Sequence, residues 1–283
     1  MINNRISTVI PTFNRELYLK EAIFSCLNQT IEHEIIVCNH GSKDGTDVLV
    51  KAFGNKIKYL SRPNDQGPIF CWLEGVMEAK GEYINLLFDD DLIKPKFIED
   101  CIKYFDDEEV GFVFAEAEYI DDETKKVYIQ NSKAFPKSGV YNISPYESYF
   151  VQNLISPTSF IMRKKDIIDS LFQGKLPFSK FEYKGVGPDK LMILMCLLRY
   201  KKFGYVSDYL SIYRKHNNSI TIDAFNSEEK KKNFYKAYRE VVLYYYGLKY
   251  AKFFSFLFYI CDFFRRLKYR LFHRKVIIEK THL

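Results

Sequence analysis

Four short runs of apolar and β-branched residues mark the first third of the chain: STVIP (7–11), EIIVCN (34–39), IKYLS (57–61) and YINLLF (83–88). They recur roughly every 25 residues, the spacing that βαβ units require. Pro95 followed by Phe97, Ile98, Cys101, Ile102 and Phe105 predicts a helix with one apolar stripe and proline in its first turn. Further on, the continuously apolar stretch from Leu191 to Leu198 predicts a buried helix opened by Asp189, and Ser227, Glu228 and Glu229 start another that Gly247 would stop. Near-continuous apolar strands joined by helices imply a parallel sheet covered on both faces.

In an open parallel sheet the ligand crevice lies beyond the carboxyl ends of the strands. Those ends carry Thr12 to Arg15, Asn39 to Ser42, and the triplet Asp89, Asp90 and Asp91. Carboxylates this close to an apolar strand ionise only with water, a counter-ion or hydrogen-bond donors at hand. If the fourth strand continues extended, Asp89 and Asp91 share a side and Asp90 faces the other way. A carboxylate pair beside a crevice suits a hard divalent cation, Mg²⁺ or Mn²⁺. An EF-hand is excluded, because Ile93 and Lys94 stand where a ligand and a glycine are needed. Capping of the helix at Pro95 would account for one acid only.

The 47% hydrophobic content over 283 residues excludes a disordered chain and allows one sizeable core, or one domain with an appendage. Six cysteines, Cys26, Cys38, Cys71, Cys101, Cys196 and Cys261, form no C-x-x-C pair and read as buried thiols of a reducing compartment. MINNRISTVIP passes from a polar lead into a strand without a signal-like stretch, which reads as a cytoplasmic start. The net charge of +6 is concentrated near the end: between Lys249 and Lys275 eight Lys or Arg face the single acid Asp262. The body is therefore near neutral, which argues against nucleic-acid binding.

Taken in order, VIPTFNR (9–15), EIIVCNHGSKDGT (34–46), RPNDQGP (62–68), AKGEYINLLFDDDLIKP (79–95), GVGPDKLMILMCLL (185–198) and FGYVSDYLSIYRKHNNSIT (203–221) resemble the family 2 glycosyltransferases of the GT-A fold. The resemblance implies an α/β fold with a Rossmann-like, mostly parallel sheet flanked by helices. Residues 1–222 would form the catalytic domain and 223–283 a helical, basic, aromatic extension. It implies an inverting enzyme that moves a sugar from a nucleotide-diphosphate sugar, UDP-linked in first expectation, to an acceptor hydroxyl in surface polysaccharide or glycolipid synthesis. Pro11, Thr12, Asn14, Arg15, Asn39, Gly41, Ser42, Asp89 and Asp90 are expected to hold the nucleotide sugar. Asp91 resembles the last acid of the D-x-D motif, so Asp91, Asp89 and His216 are the expected metal ligands. Asp189 falls at the catalytic base, which would take the proton of the acceptor hydroxyl as it attacks opposite the leaving group. The alternative for Asp189 is a helix cap.

Several positions depart from the family pattern. Asn39 and His40 replace two acids of the uracil-binding turn, Trp72 and Leu73 replace Arg-Asn, and Pro188 replaces an acid before the base. Arg62, or Arg214 with Lys215, are candidates for the missing basic contact. These departures motivate a rival, a non-catalytic nucleotide-binding module of the same fold. DDETKK (121–126) reads as a hairpin tip, residues 131–153 show no clean period, and SPTSFIMRKK (156–165) reads as a strand near the acceptor with Ser156 and Thr158 as contacts. His33, His273 and His282 read as surface residues. In the tail, the apolar run Phe253–Ile260 is far shorter than the roughly 20 residues a membrane span needs. Flanked by Arg and Lys, it reads as an interfacial helix on anionic lipid at the inner face of the cytoplasmic membrane, suited to a lipid-linked acceptor. The alternative is a helix packed on the catalytic domain or on a second copy in a homodimer.

Overall fold

The computed structural model describes residues 3–129, 133–171, 174–177, 179, 182–183, 187–216, 227–251 and 263–268. The four sequence-predicted strands form β1 (Asn3–Thr12), β2 (His33–His40), β3 (Lys58–Arg62) and β4 (Tyr83–Leu86). They pair in parallel in the order β3-β2-β1-β4. The connecting helices are α1 (Glu16–Leu27), α2 (Thr46–Lys51) and α3 (Pro68–Glu78). β5 (Leu92–Ile93), α4 (Phe97–Ile102), β6 (Val110–Asp121), β7 (Val127–Ile129) and β8 (Gly139–Asn142) follow. After α5 (Glu147–Gln152) come β9 (Phe160–Arg163), α6 (Lys164–Ser170), the short pair β10 (Gly174–Lys175) and β11 (Glu182–Tyr183), α7 (Pro188–Arg199), β12 (Lys202–Lys215) and α8 (Glu228–Tyr250).

The α/β expectation holds, but the sheet is mixed rather than mostly parallel, because β5, β7, β8 and β9 all run antiparallel to their neighbours. The sheet continues β4-β9-β6-β12-β5, and β9 runs antiparallel to both β4 and β6. Two reversals restore direction, so β6 and β12 point the same way as β1 to β4 and pair in parallel. Asn85 locks this insertion in place. Buried in β4, its amide nitrogen donates to the carbonyls of Pro157, Thr158 and Phe160. β7 folds back on β6 across the charged tip, as expected.

Alternation along β1 divides the core. Ile6 and Ile10 face α1 and α4, whereas Val9 faces α3. On the α3 face Gly75 lets the helix sit close: a Cβ there would stand 2.3 Å from Val9 Cγ1. The same core takes in α7 and, from α8, Val241, Tyr245 and Leu248. α8 runs through Gly247 to Tyr250, because that packing outweighs the cost of one mid-helix glycine, about 1 kcal/mol. Five of the six cysteines are buried free thiols, and Cys261 lies outside the described residues.

His33 is not a surface residue. It is buried, with Nε2 3.0 Å from the Thr8 hydroxyl and Nδ1 3.3 Å from the Ile31 carbonyl. A neutral ring protonated on Nδ1 satisfies both partners. Burial lowers its pKa to about 4, against 6.5 in the unfolded chain. The folded state therefore binds fewer protons, and stability falls as pH drops from 6.5 towards 4, by about 2 kcal/mol at pH 5. His33→Gln is expected to remove that share of the difference between urea midpoints at pH 7 and pH 5. An unchanged difference would mean that His33 is not the group responsible.

Candidate active site

The carboxyl ends of the like-directed strands deliver Thr12, His40, the Asp89–Asp91 triplet and Arg214 to one edge of the sheet. A cleft of about 670 Å³ opens there, and Asp189 at the start of α7 stands in its wall. Pro11, Thr12, Arg15, Asp89, Asp90, Asp91 and Asp189 all line it.

The strand-like alternation expected for the triplet does not occur. β4 ends at Leu86, and Asp89 and Asp90 lie in a turn. Arg15 Nη1 donates to both, at 3.0 Å to Asp89 Oδ1 and 2.5 Å to Asp90 Oδ2. Asp91 turns away from them and accepts from the Thr158 hydroxyl at 2.8 Å and the Arg214 backbone N–H at 3.1 Å. Thr158, expected at the acceptor, is thus buried beneath the triplet, while Ser156 lines the cleft. His216 Nε2 lies 3.0 Å from Asp90 Oδ2, and its ring stacks on Tyr18 at 4.5 Å.

Burial opposes ionisation throughout the triplet. It raises Asp89 to about 6 despite Arg15, with the charge of Asp90 adding to the rise. It drives Asp91 well above the carboxylate range, again helped by Asp90 and opposed by Thr158 and Arg214. At Asp90, burial is outweighed by His216 and Arg15, and the pKa falls. Buried hard oxygens held short of full ionisation fit a divalent cation, which would favour their charged form. His216 Nδ1 is buried without a partner at this site. Among the described residues no three His, Cys, Asp or Glu side chains converge on one point. The donor set therefore fits a cation that takes its remaining ligands from a bound molecule.

The second-strand turn is built differently from the cleft wall. Asn39 donates to the Tyr59 hydroxyl at 2.8 Å and accepts from Ser42 N–H at 3.0 Å. Asn14 joins the two loops, donating N–H to the Ser42 hydroxyl and accepting from Lys43 N–H. Gly41 has φ +81, and a Cβ would stand 2.9 Å from the Pro63 carbonyl, so only glycine fits. Asn14, Asn39, Gly41, Ser42 and His216 shape this edge but do not line the cleft. His40 does, and Glu74 holds it at 2.9 Å. Burial would lower the His40 pKa, but Cys71 and Glu74 raise it to about 9. Arg62 is occupied by Glu74, whereas Arg214 and Lys215 reach the cleft.

Asp189 sits at the first turn of α7 and accepts from the Lys190 N–H at 2.8 Å. The Tyr238 hydroxyl of α8 donates to its other oxygen at 3.0 Å and also reaches the first at 3.3 Å. Burial raises the Asp189 pKa, and both donors oppose the rise. Sequence reasoning missed Tyr238 and Phe234, and it noted Trp72 only as a departure. All three line the cleft, with Trp72 against Phe88 at 5.1 Å. The signal was present: Phe234, Tyr238, Val241, Tyr245 and Leu248 are spaced four and three apart, as one helix face is.

The family model described as "Glycosyl transferase family 2" matches residues 7–172. The chain belongs to glycosyltransferase family 2. An uncharacterized glycosyltransferase of Rickettsia typhi is 37% identical over 126 residues, which is 44% of this chain and 39% of that relative. The minor teichoic acid biosynthesis protein GgaB of Bacillus subtilis is 26% identical over 243 residues, 82% of this chain and 25% of its own length. S. aureus TarS 1–349, solved in complex with UDP-GlcNAc, superposes with a TM-score of 0.67 at 21% identity, covering 85% of this chain and 66% of that one. The chain spans about two fifths or less of these curated relatives. This glycosyltransferase therefore has the GT-A fold, a mixed sheet with helices on both faces.

If Arg15 holds Asp89 and Asp90 together, Arg15→Met is expected to lower stability by about 3 kcal/mol at pH 8, the usual cost of stranding a buried charge. The deficit shrinks as pH falls towards 6, where Asp89 takes up a proton. Denaturant midpoints across that range check it; a deficit that does not change with pH would contradict the account.

Proposed function

We propose that this glycosyltransferase is an inverting enzyme that uses a nucleotide-diphosphate sugar, UDP-linked in the first instance, with Mg²⁺ or Mn²⁺. The observation that carries the reading is the single cleft with buried acids of the β4 turn in its floor and Asp189 in its wall. Asp91 and Asp89 would hold the cation, with His216 acting through Asp90. A cation bound there would neutralise the charge that develops on the departing diphosphate. Thr12, Arg15 and Lys215 border the path of the phosphates, and the loop held by Asn14, Asn39, Gly41 and Ser42 forms the nucleoside side. Asp189 then takes the proton of the acceptor hydroxyl during attack from the opposite face. A non-catalytic binding module would have no use for a partly buried acid held by two donors in the wall of the same cleft.

The similarity to a teichoic acid biosynthesis protein supports an acceptor in surface polysaccharide synthesis. The tail supports work at a membrane. Among the described residues no helix is long and apolar enough to cross one. The run Phe253–Ile260 lies outside the described residues, but next to it Phe263 and Phe264 are exposed while Arg265 donates to the Asp169 carbonyl on α6. We read this segment as peripheral, facing anionic lipid from the inner side of the cytoplasmic membrane. A chain ending at Lys252 keeps α8, and it is expected to lose sedimentation with anionic vesicles that the full chain shows. If both sediment equally, or neither does, the tail packs on protein, with a homodimer as one form of that packing.

The donor reading is tested by thermal shift with UDP, with and without Mn²⁺. UDP at a hundred times its Kd with Mn²⁺ should stabilise the protein by about 2.7 kcal/mol. Asp91→Asn is expected to abolish the Mn²⁺-dependent part. Asp189→Asn is expected to keep it while lowering turnover by about 10² to 10⁴. A Mn²⁺ effect that survives in Asp91→Asn would rule out the metal assignment.

A further inference from the structure

The Asp189 carboxylate accepts from two donors, and only one belongs to its own helix. The other is the hydroxyl of Tyr238, 49 residues later in the chain. The placement of that hydroxyl is determined by packing. Val241, Tyr245 and Leu248 fasten the following turns of α8 into the core that α7 shares. Lys249 forms an ion pair with Glu147 of α5, and the Phe234 ring packs on Tyr238 at 4.7 Å. Lys190, also beside Asp189, is buried and donates its ammonium group to the Asn153 carbonyl at 2.7 Å. That ammonium therefore serves the 153 loop, while the hydroxyl that the Asp189 carboxylate accepts is the one from α8.

We propose that Tyr238 is a positioning residue for the transfer reaction: its hydroxyl, within reach of both carboxylate oxygens, holds Asp189 in the wall of the cleft for proton acceptance. The proposal rests on the reading of Asp189 as the base. It gives α8 a share in catalysis and places an aromatic wall, Phe234 and Tyr238, where the acceptor must approach Asp189. A phenol suits the task because it donates to the carboxylate and stays neutral; burial, with the charge of Asp189, raises its own pKa far above its ordinary value. Among the described residues, the charged and titratable groups that act on Asp189 are Lys190 on α7 and Tyr238 on α8. A hydrogen bond to the ionised form favours that form, so losing it raises the pKa of the base and moves the acid limb of activity to higher pH.

The test compares the full-length protein with Tyr238→Phe, which keeps the ring and its contact with Phe234. UDP-sugar turnover, with water as acceptor where no sugar acceptor is supplied, is followed as UDP release from pH 5 to 9. The acid limb of kcat/KM is expected to move up by about one unit, and kcat on that limb to fall about tenfold, with donor KM unchanged. In an Asp189→Asn background, Tyr238→Phe should add no further loss, since the two groups act as one unit. Carboxyl carbon NMR of ¹³C-aspartate-labelled protein gives a readout apart from activity. The resonance missing in Asp189→Asn should titrate about one unit higher in Tyr238→Phe. An unshifted resonance and acid limb, or equal losses from Tyr238→Phe in both backgrounds, would overturn the positioning role. Full turnover in Asp189→Asn alone would instead overturn the reading of the base.

Discussion

Carboxylates cannot leave water without donors, and the turn after β4 removes two of them almost wholly from solvent. The surrounding elements are arranged to answer that demand. α1 begins beside Arg15, whose guanidinium spans Asp89 and Asp90. Arg214 near the end of β12 and His216 just past it meet Asp91 through a backbone N–H and Asp90 through an imidazole. The turn before β9 offers the Thr158 hydroxyl, and Asn85 fixes that turn through three carbonyls. Strand order and site chemistry are thus one problem. Without β9 seated between β4 and β6, Asp91 would lose its side-chain donor.

The donors leave the demand only partly met. Asp89 and Asp91 both remain raised in pKa, because burial and mutual repulsion exceed what the network returns. Acids that burial keeps from full ionisation fit the cation proposed for this site, which would favour their charged form. The opposite wall follows a different logic. Asp189 stands at the start of α7 beneath an aromatic helix face, in contact with the cleft but short of bulk water. One acid cluster suits charge binding and the other acid suits proton transfer. Burial raises pKa in both places, and the donors around each decide what it can do.

Much of this was legible in the sequence where local pattern and chemistry coincide. Short apolar and β-branched runs at regular spacing located β1 to β4, and the apolar run after Asp189 located α7. The motif order brought Asp89, Asp90, Asp91 and Asp189 into one site. What stayed hidden depended on partners distant along the chain. A single asparagine in β4 does not announce that it staples residues 157–160, and nothing local to His33 points to Thr8 on the neighbouring strand. The alternation expected for the triplet failed because the strand stops before it, a boundary set by tertiary donors. Treating residues 223–283 as an extension passed over the apolar stripe of α8 that packs in the main core.

The central claim is that the buried acids of the β4 turn await a cation held jointly with a nucleoside diphosphate. It is tested most directly by anomalous diffraction at the manganese edge from crystals grown with UDP and Mn²⁺. The account predicts one strong peak about 2.2 Å from a carboxylate oxygen of Asp91 or Asp89, with the diphosphate as its other neighbour. UDP seated in the cleft with no manganese beside those residues, or manganese bound elsewhere in the protein, would contradict it.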